Sequence, residues 1–138
     1  MLATNPLTMT EFDLRRLDAL FERLRLHLKA PPTLTLLERE LERAVVVKPD
    51  QVPPTIVTMN SEVEVMDLDS GERRTLTLVF PSMAKIESGR VSVLAPLGTA
   101  LLGSSQGAGV TWQTPRGERR LRVESIVYQP EAAGRFDL

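Results

Sequence analysis

The side chains that carry most enzyme chemistry are nearly missing from this sequence. Its 138 residues include no cysteine and a single histidine, His27. Thiolate nucleophiles, disulfides, cysteine-ligated zinc and any site built from two imidazoles are therefore excluded. Gly103, Gly107 and Gly109 lack the following Lys-Ser/Thr pair of a phosphate-binding loop. Carboxylates alone remain, without a supporting pattern, so we expect no catalytic residues, no metal site and no cofactor.

Charge and hydropathy restrict the partners and the compartment. The chain carries 17 basic and 18 acidic side chains, for a net charge of -1. Because non-specific nucleic-acid binding needs clustered surplus Lys and Arg, we expect no direct nucleic-acid binding. No apolar run approaches the roughly 18 residues of a membrane span, and the N-terminus lacks the basic start and apolar block of a signal peptide. These features predict a cytoplasmic protein with protein partners and no membrane contact.

The first third of the chain has helical periodicity. Thr8 and Glu11 have capping-box spacing, and the apolar residues then recur every three or four positions, at Leu14, Leu17, Phe21, Leu24 and Leu28. Two prolines interrupt this seam, because proline lacks an amide donor and pushes the preceding residue out of helical geometry. The seam resumes at Leu34, Leu37, Leu41 and Ala44. Residues 1–47 are therefore predicted to form a short antiparallel helical hairpin (coiled coil) with the tip Ala30, Pro31, Pro32 and Thr33.

Beyond Val47 the pattern changes to that of strands. A proline-rich segment, residues 48–54, predicts an extended linker. Turn signals at 69–71 and 114–117 separate alternating apolar runs, and short helices are predicted at 81–87 and 98–102. The predicted strands are 57–60, 63–68, 73–80, 90–94, 110–112 and 119–128. Residues 48–138 are thus predicted to form a small antiparallel sheet domain, and the whole chain an α+β fold.

Three segments of this second part carry a family resemblance. They are Val57-Thr58-Met59-Asn60-Ser61, the run Ser-Val-Leu-Ala-Pro-Leu-Gly-Thr-Ala-Leu-Leu-Gly at 92–103, and Tyr-Gln-Pro-Glu-Ala-Ala-Gly at 128–134. Together they closely resemble the bacterial Rnk family, regulators of nucleoside diphosphate kinase that are relatives of the Gre transcript-cleavage factors. The resemblance implies an FKBP-like domain over residues 48–138, as in the Gre C-terminal domains. It also implies binding to RNA polymerase near the entrance of the secondary channel.

The predicted tip departs from what the resemblance implies for Gre factors. There, a long coiled coil reaches the polymerase catalytic centre, and acidic side chains at its tip help to hold a second magnesium ion. Here the tip has no carboxylate, and the nearest acidic residues, Glu22 and Glu38, lie on helix flanks. The first helix, about 19 residues, would extend only roughly 28 Å. We therefore predict competition with Gre factors for polymerase without stimulation of transcript cleavage.

The resemblance also implies where the polymerase docks. The Ser-Pro region of the Gre domain corresponds to Ser92, Ala95 and Pro96, with Ala95 in place of the more usual serine, and Gly98 follows. Pro96 and Gly98 have an equally good structural explanation, since both residue types set turns and helix starts. Arg119 and Arg122 belong to a basic cluster that either faces an acidic surface of the polymerase or protects a solvated sheet edge from strand pairing. The whole cluster is Arg116, Arg119, Arg120 and Arg122.

Two other functions remain open. An FKBP-like fold suggests prolyl isomerase activity by fold analogy alone. That activity needs a cavity lined by several aromatics, and this part of the chain has only Phe80, Trp112, Tyr128 and Phe136. The family name suggests instead a direct, protein-level regulator of nucleoside diphosphate kinase, or an indirect effect on that kinase through transcription.

Overall fold

Two helices and two short strands form the N-terminal part of the fold. The computed structural model describes residues 7–25 and 33–135. Helix α1 runs Glu11–Arg25 and helix α2 runs Thr33–Glu42. Strand β1 (Thr8–Thr10) directly precedes α1, and strand β2 (Val45–Val47) follows α2. The two strands pair in parallel. The predicted tip residues Ala30, Pro31 and Pro32 lie outside the described residues, whereas Thr33 begins α2.

The helices bury the apolar face that their periodicity predicts. In α1, Leu17 and Phe21 are buried together with Leu20, which the predicted seam does not include. Leu34, Leu37 and Leu41 are the buried residues of that seam in α2. The capping prediction was wrong in its position, because Thr8 is part of β1 and Thr10 takes the capping role. The Thr10 Oγ1 accepts a hydrogen bond of 3.0 Å from the Asp13 amide.

Residues after β2 form a five-stranded sheet in the spatial order β5-β4-β3-β7-β6. The pairs β3–β4, β3–β7 and β6–β7 are antiparallel, and β4–β5 is parallel. Two register shifts between β3 and β7 mark bulges, which bend and twist a sheet. The strands are β3 (Glu62–Asp67), β4 (Arg73–Val79), β5 (Arg90–Ser92), β6 (Gly109–Thr114) and β7 (Gly117–Tyr128).

The prediction of a purely antiparallel sheet was wrong at β5. A parallel neighbour requires a connection that returns along the sheet instead of a tight hairpin. The link between β4 and β5 provides this return with two 3-10 helices, Pro81–Met83 and Ile86–Ser88. These 3-10 turns replace the single short helix predicted over residues 81–87.

The prediction of a strand at 57–60 was also wrong. The segment turns on itself, with the Ser61 amide bonded to the Thr58 carbonyl at 3.0 Å and Asn60 at a φ of 65°. Hydroxyl side chains offer the backbone such local alternatives to a strand ladder. Thr58 and Ser61 do so here, because their hydroxyls lie 2.8 Å apart and the Ser61 Oγ also accepts from the Thr58 amide at 2.9 Å.

The helices and the sheet share one hydrophobic core. Helix α3 (Pro96–Leu101) follows β5 and buries Leu101 in the same cluster. That cluster includes Leu17, Phe21 and Leu37 from the helices together with Val63, Leu78, Leu101 and Val123 from the later elements. Within the described ranges, no helix has the length and apolar character needed to cross a membrane.

Candidate functional site

The segment from β5 into α3 places three of the predicted docking residues together. Ser92 ends β5, Ala95 is the N-cap of α3, and Pro96 is its first residue. The Ala95 amide bonds to the Ser92 carbonyl at 3.0 Å, and the Ser92 Oγ accepts from the Leu94 amide at 3.1 Å. Pro96 is exposed, while Ser92 and Ala95 are half-buried. The turn is thus held by its own hydrogen bonds and presents Pro96 outward.

Gly98 lies beneath this turn. It is buried, and a Cβ on it would stand 1.9 Å from the Ser92 carbonyl oxygen and 3.0 Å from the Val93 Cα. The Thr99 hydroxyl then donates to the Val93 carbonyl at 2.6 Å, which holds the first turn of α3 against the end of β5. A structural role therefore explains why position 98 is a glycine: without a Cβ, α3 can approach β5 closely.

The loop that leads into β5 has apolar side chains that sequence reasoning missed. Met83 is 53% exposed and Ile86 is 74% exposed. Lys85 forms a bridge with Arg90, so this loop is fastened to the first residue of β5. Exposed apolar side chains belong to interaction surfaces when they form a contiguous patch, and Met83 and Ile86 lie three residues apart in this loop. Their position in a loop, outside any periodic segment, left no signal in the sequence.

Arg119 and Arg122 lie on β7, and both are paired within the chain. Arg119 forms an ion pair with Asp67, and Arg122 lies 3.0 Å from the Glu124 carboxylate. The interpretation of the basic cluster as a sheet edge was wrong for Arg122, which is paired with Met66 of β3 on one side and with Gly109 of β6 on the other. Ion pairs between solvent-exposed side chains contribute little to stability, because water and salt screen them. Arg120 is likewise paired with Asp69, so three of the four cluster residues have a carboxylate partner within the chain.

The carboxylate that pairs with Arg119 is held by a turn. The amides of Asp69 and Ser70 donate to the Asp67 Oδ1 at 2.8 and 3.1 Å. These hydrogen bonds, with the Arg119 guanidinium as a further contribution, lower the pKa of Asp67. Asp67 therefore stays charged near neutrality and keeps its partner on β7 in place.

The structure does not bring the two predicted groups of docking residues together along the sheet. Ser92 is paired with Val79 at one end of β4. Arg122 is paired with Met66, which faces Arg73 at the other end of β4. The six residue-to-residue steps from Arg73 to Val79 span about 20 Å of strand.

A buried polar cluster where α1 meets the sheet was not predicted. The Asp13 side chain is fully buried, and its Oδ2 accepts a hydrogen bond of 3.0 Å from the Met59 amide. Its Oδ1 lies 2.6 Å from the Arg16 guanidinium. That guanidinium stacks on two rings, 3.9 Å from the centroid of Phe12 and 4.8 Å from that of Phe80. Only the residue spacing from Thr10 to Asp13 hinted at this cluster, and it indicates a helix cap rather than a tertiary contact.

The second half of the cluster comes from the tail motif at 128–134. The Thr58 hydroxyl donates to the buried Glu131 carboxylate at 2.7 Å. The Gln129 Nε2 donates to the carbonyls of Pro53 and Ile56, each at 2.8 Å. The motif therefore holds residues 53–58 against the sheet. The prediction of an extended linker over residues 48–54 was wrong at its centre, where Pro49–Gln51 form a 3-10 helix. Its end at Pro53 is fixed by the Gln129 side chain.

Burial raises the pKa of the Asp13 carboxyl to about 6, and the neighbouring Glu131 charge adds to the effect. The Met59 amide and the Arg16 guanidinium act in the opposite direction. A carboxyl that binds its proton more tightly in the folded state makes the protein more stable when protonated. This contribution is present at low pH and is lost as the pH rises through about 6.

We expect Asp13→Asn to remove this pH dependence. Between pH 4 and 7, the unfolding free energy of the unmodified protein should fall relative to that of the variant by up to roughly 3 kcal/mol, since one pKa unit corresponds to about 1.4 kcal/mol. Chemical denaturation of both proteins across this pH range measures the difference. Two curves that stay parallel at every pH would contradict the assignment.

Residues 7–25 and 33–135 contain no group of three His, Asp or Glu side chains arranged to hold a metal ion. Of the aromatics considered for a prolyl isomerase cavity, the Phe80 ring is occupied by Arg16, and Phe136 lies outside the described residues. Trp112 and Tyr128 are half-buried.

Comparison with known proteins identifies the family. Residues 52–128 match the family model for the C-terminal part of the transcription elongation factors GreA and GreB, and residues 5–47 match the model for the Rnk N-terminus. The chain is 38% identical over 129 residues to the regulator of nucleoside diphosphate kinase of Escherichia coli, covering 93% of each protein. It is 31% identical over 93 residues to the elongation factor GreA of Thermodesulfovibrio yellowstonii, which is 67% of this chain and 59% of that protein.

A solved structure has the same fold. The prokaryotic transcription elongation factor GreA/GreB from Nitrosomonas europaea superposes with a TM-score of 0.76 at 41% identity, covering 88% of this chain and 99% of that one. The resemblance inferred from the three sequence segments is confirmed. With family models matching both of its parts and a relative similar over nearly its whole length, the chain belongs to the Rnk family of Gre-like transcription factors.

Proposed function

We propose that this protein is a transcription regulator that binds RNA polymerase near the entrance of the secondary channel and competes there with Gre factors. It acts in the cytoplasm by occupying a site and is not an enzyme. The observation that carries the proposal is the turn between β5 and α3, in which a Gre-type domain presents Pro96 beside Ser92 and Ala95. Exposed Met83 and Ile86, in the loop that leads into β5, add apolar area near it.

The same proposal assigns roles to the two parts of the chain. Residues 1–47 form a short antiparallel hairpin, and residues 48–138 form the FKBP-like docking domain. In support, an ion pair joins Arg25 of α1 to Glu38 of α2, and the two family models divide the chain between residues 47 and 52. The described length of α1, 15 residues, corresponds to about 22 Å.

The absence of cleavage activity follows from the hairpin sequence. Ala30, Pro31, Pro32 and Thr33 offer no carboxylate that could help to hold a second magnesium ion. The short helices also limit how far the hairpin can reach. We therefore propose that the protein occupies the docking site without adding chemistry to the polymerase.

We expect Pro96→Glu to weaken polymerase binding by about 10- to 100-fold, which corresponds to roughly 1.4–2.8 kcal/mol. Pro96 is exposed at the first position of α3, where a carboxylate is compatible with the helix dipole, so the fold should survive. Pro54→Glu, the same substitution at an exposed turn position outside residues 92–98, is the matched control. Direct binding to core polymerase measures both variants. Equal affinities for Pro96→Glu and the unmodified protein would remove Pro96 from the docking surface.

Arg119 and Arg122 remain secondary members of the proposed surface. Their charges are balanced by Asp67 and Glu124, so any attraction to an acidic polymerase surface must compete with these pairs. We therefore propose that they affect the association rate at low salt more than the final affinity.

An effect on nucleoside diphosphate kinase is the second part of the proposal. The Escherichia coli relative is called a regulator of that enzyme. We propose that this chain influences the kinase level indirectly, through transcription. Direct protein-level regulation is the alternative, and co-purification with the kinase but not with polymerase would establish it. Turnover of a proline peptide would establish the isomerase alternative.

A further inference from the structure

The first turn of α1 is held at residue 13 from two sides. The Asp13 amide donates to the Thr10 Oγ1 at 3.0 Å, which fixes the start of the helix. The Asp13 carboxylate accepts from the Met59 amide at 3.0 Å, across 46 residues of sequence. The two bonds join the base of α1 to a loop of the Gre-type domain. Because Asp13 is fully buried, water does not compete for either bond.

The loop that receives α1 is itself held in place. Met59 is fully buried, and the Val57 amide bonds to the Ser104 carbonyl at 2.9 Å. Glu131 fixes the Thr58 hydroxyl at 2.7 Å. The Met59 amide is therefore a donor in a defined position relative to the sheet. A helix attached to this donor takes its orientation from the sheet domain.

Arg16 adds a second link at the same end of α1. Its guanidinium bonds the other oxygen of Asp13 at 2.6 Å and stacks over Phe80, which directly follows β4. The charge pair therefore keeps one carboxylate oxygen facing along the helix and the other facing Met59. One carboxylate therefore contacts both Arg16 on α1 and the Met59 amide in the loop.

We infer that Asp13 is a positioning residue: by accepting the Met59 amide hydrogen, it sets the direction in which α1 projects from the Gre-type domain. Leu17 and Phe21 pack α1 into the shared core, but apolar contacts are non-directional and tolerate a small tilt, so the Met59 bond selects the orientation. A small tilt at Asp13 becomes a larger displacement at the far end of the described helix. The part of α1 from Asp13 to Arg25 is about 18 Å long, so a tilt of about 10° at Asp13 displaces Arg25 by about 3 Å. The functional consequence rests on the proposed function, since the direction of α1 would decide whether the hairpin enters the polymerase channel.

Distance measurements between spin labels test this inference without polymerase. Because the chain has no cysteine, Glu22→Cys on α1 and Gln113→Cys on β6 introduce two labelling sites at exposed positions, and no native cysteine has to be removed first. The pair is measured in three backgrounds: unmodified, Asp13→Asn and Asp13→Ala. Asparagine keeps an oxygen that can accept from the Met59 amide, whereas alanine keeps none. A pair within the sheet domain, Ser82→Cys with Gln113→Cys, reports whether that domain stays intact.

We expect a narrow distribution of distances between the labels at positions 22 and 113 in the unmodified and Asp13→Asn proteins. In Asp13→Ala this distribution should be broadened about twofold or shifted, because α1 then samples several orientations relative to the sheet. The distribution of the sheet pair should not change. An unchanged distribution in Asp13→Ala would overturn the inference. Equal broadening in both variants would also overturn it, since the Arg16 charge pair and not the Met59 bond would then set the direction.

Hydrogen exchange of the Met59 amide provides a test that needs no variant at all. Met59 lies in a turn, where its amide has the Asp13 carboxylate as acceptor. We expect this amide to exchange at least about 100-fold more slowly than in an unstructured peptide. Exchange at the unstructured rate would overturn the inference even if Asp13→Ala does not fold. Both measurements omit polymerase, so a failure of polymerase binding is distinguishable from a failure of the positioning role.

Discussion

Gly98→Ala should lower the unfolding free energy by about 3 kcal/mol or more, at the upper end of overpacking effects. The added Cβ would lie 1.9 Å from the Ser92 oxygen and 2.7 Å from the Ser92 carbonyl carbon. Both are backbone atoms, so no side-chain rotation relieves the clash, and α3 must move away from β5. Ala95 and Pro96 would move with it, and polymerase affinity should fall together with stability.

Gly109→Ala is the matched control for this prediction. A Cβ on Gly109 meets no atom within 4 Å, and its backbone is outside the left-handed region. We expect a change within about 0.5 kcal/mol, as for most exposed substitutions. Urea denaturation of both variants gives the comparison. Equal stability of Gly98→Ala and Gly109→Ala would show that α3 does not need its close approach to β5.

Phe21→Ala should destabilise the protein by about 3–5 kcal/mol, the range for truncating a buried phenylalanine. Phe21 is 1% exposed and belongs to the cluster that also contains sheet residues. Because helices and sheet share this core, both should unfold in a single, shifted transition. Leu24→Ala, at a half-buried position of the same helix, is the control and should cost less.

The measurement for Phe21→Ala follows two signals during denaturation. Circular dichroism reports the helices, and fluorescence of Trp112 on β6 reports the sheet. We expect the two transitions to shift together. A helix signal that is lost while the Trp112 signal keeps its original midpoint would contradict a shared core.

Periodicity was enough to predict the longer elements α1, β3 and β4. The apolar spacing around Leu17 and Phe21 gave the helix in the right place, because a single buried stripe determines a 3.6-residue repeat. The alternation from Thr75 to Phe80 likewise predicted β4, which ends one residue earlier, at Val79. The Asp69-Ser70-Gly71 turn placed β3 and β4 as a hairpin, since a short turn between alternating runs leaves one pairing.

Long-range geometry accounts for the features that were missed. Strands β1 and β2 have three residues each and pair Thr8 with Val45, so neither has enough length to show a period. The parallel partner of β4 depends on the path of residues 80–89, which carries no periodic signal. The segment 57–60 looks like a strand because its apolar residues are buried, yet the hydroxyls of Thr58 and Ser61 fold it into a turn.

In the candidate site, too, local features were predicted and long-range contacts were missed. Ser92, Ala95 and Pro96 were predicted because a contiguous motif carried them, and a contiguous turn presents them. Asp13 was not predicted, because its partner lies 46 residues away in the sequence. That partner is the backbone amide of Met59, which has no side-chain signature. The Glu131 contact was missed for a similar reason, because the tail motif was read as a family signature without a structural role.

Competition for core polymerase tests the central proposal most directly. A fluorescently labelled Gre factor is bound to core RNA polymerase, and the unlabelled protein is added at increasing concentration, with Pro96→Glu as the matched control. Transcript cleavage in a backtracked complex is followed in parallel. We expect the protein to displace the Gre factor and to reduce cleavage in step, to produce no cleavage alone, and to lose both effects in Pro96→Glu. Failure to bind polymerase or displace the Gre factor at micromolar concentration, or cleavage stimulated by the protein itself, would contradict the proposal.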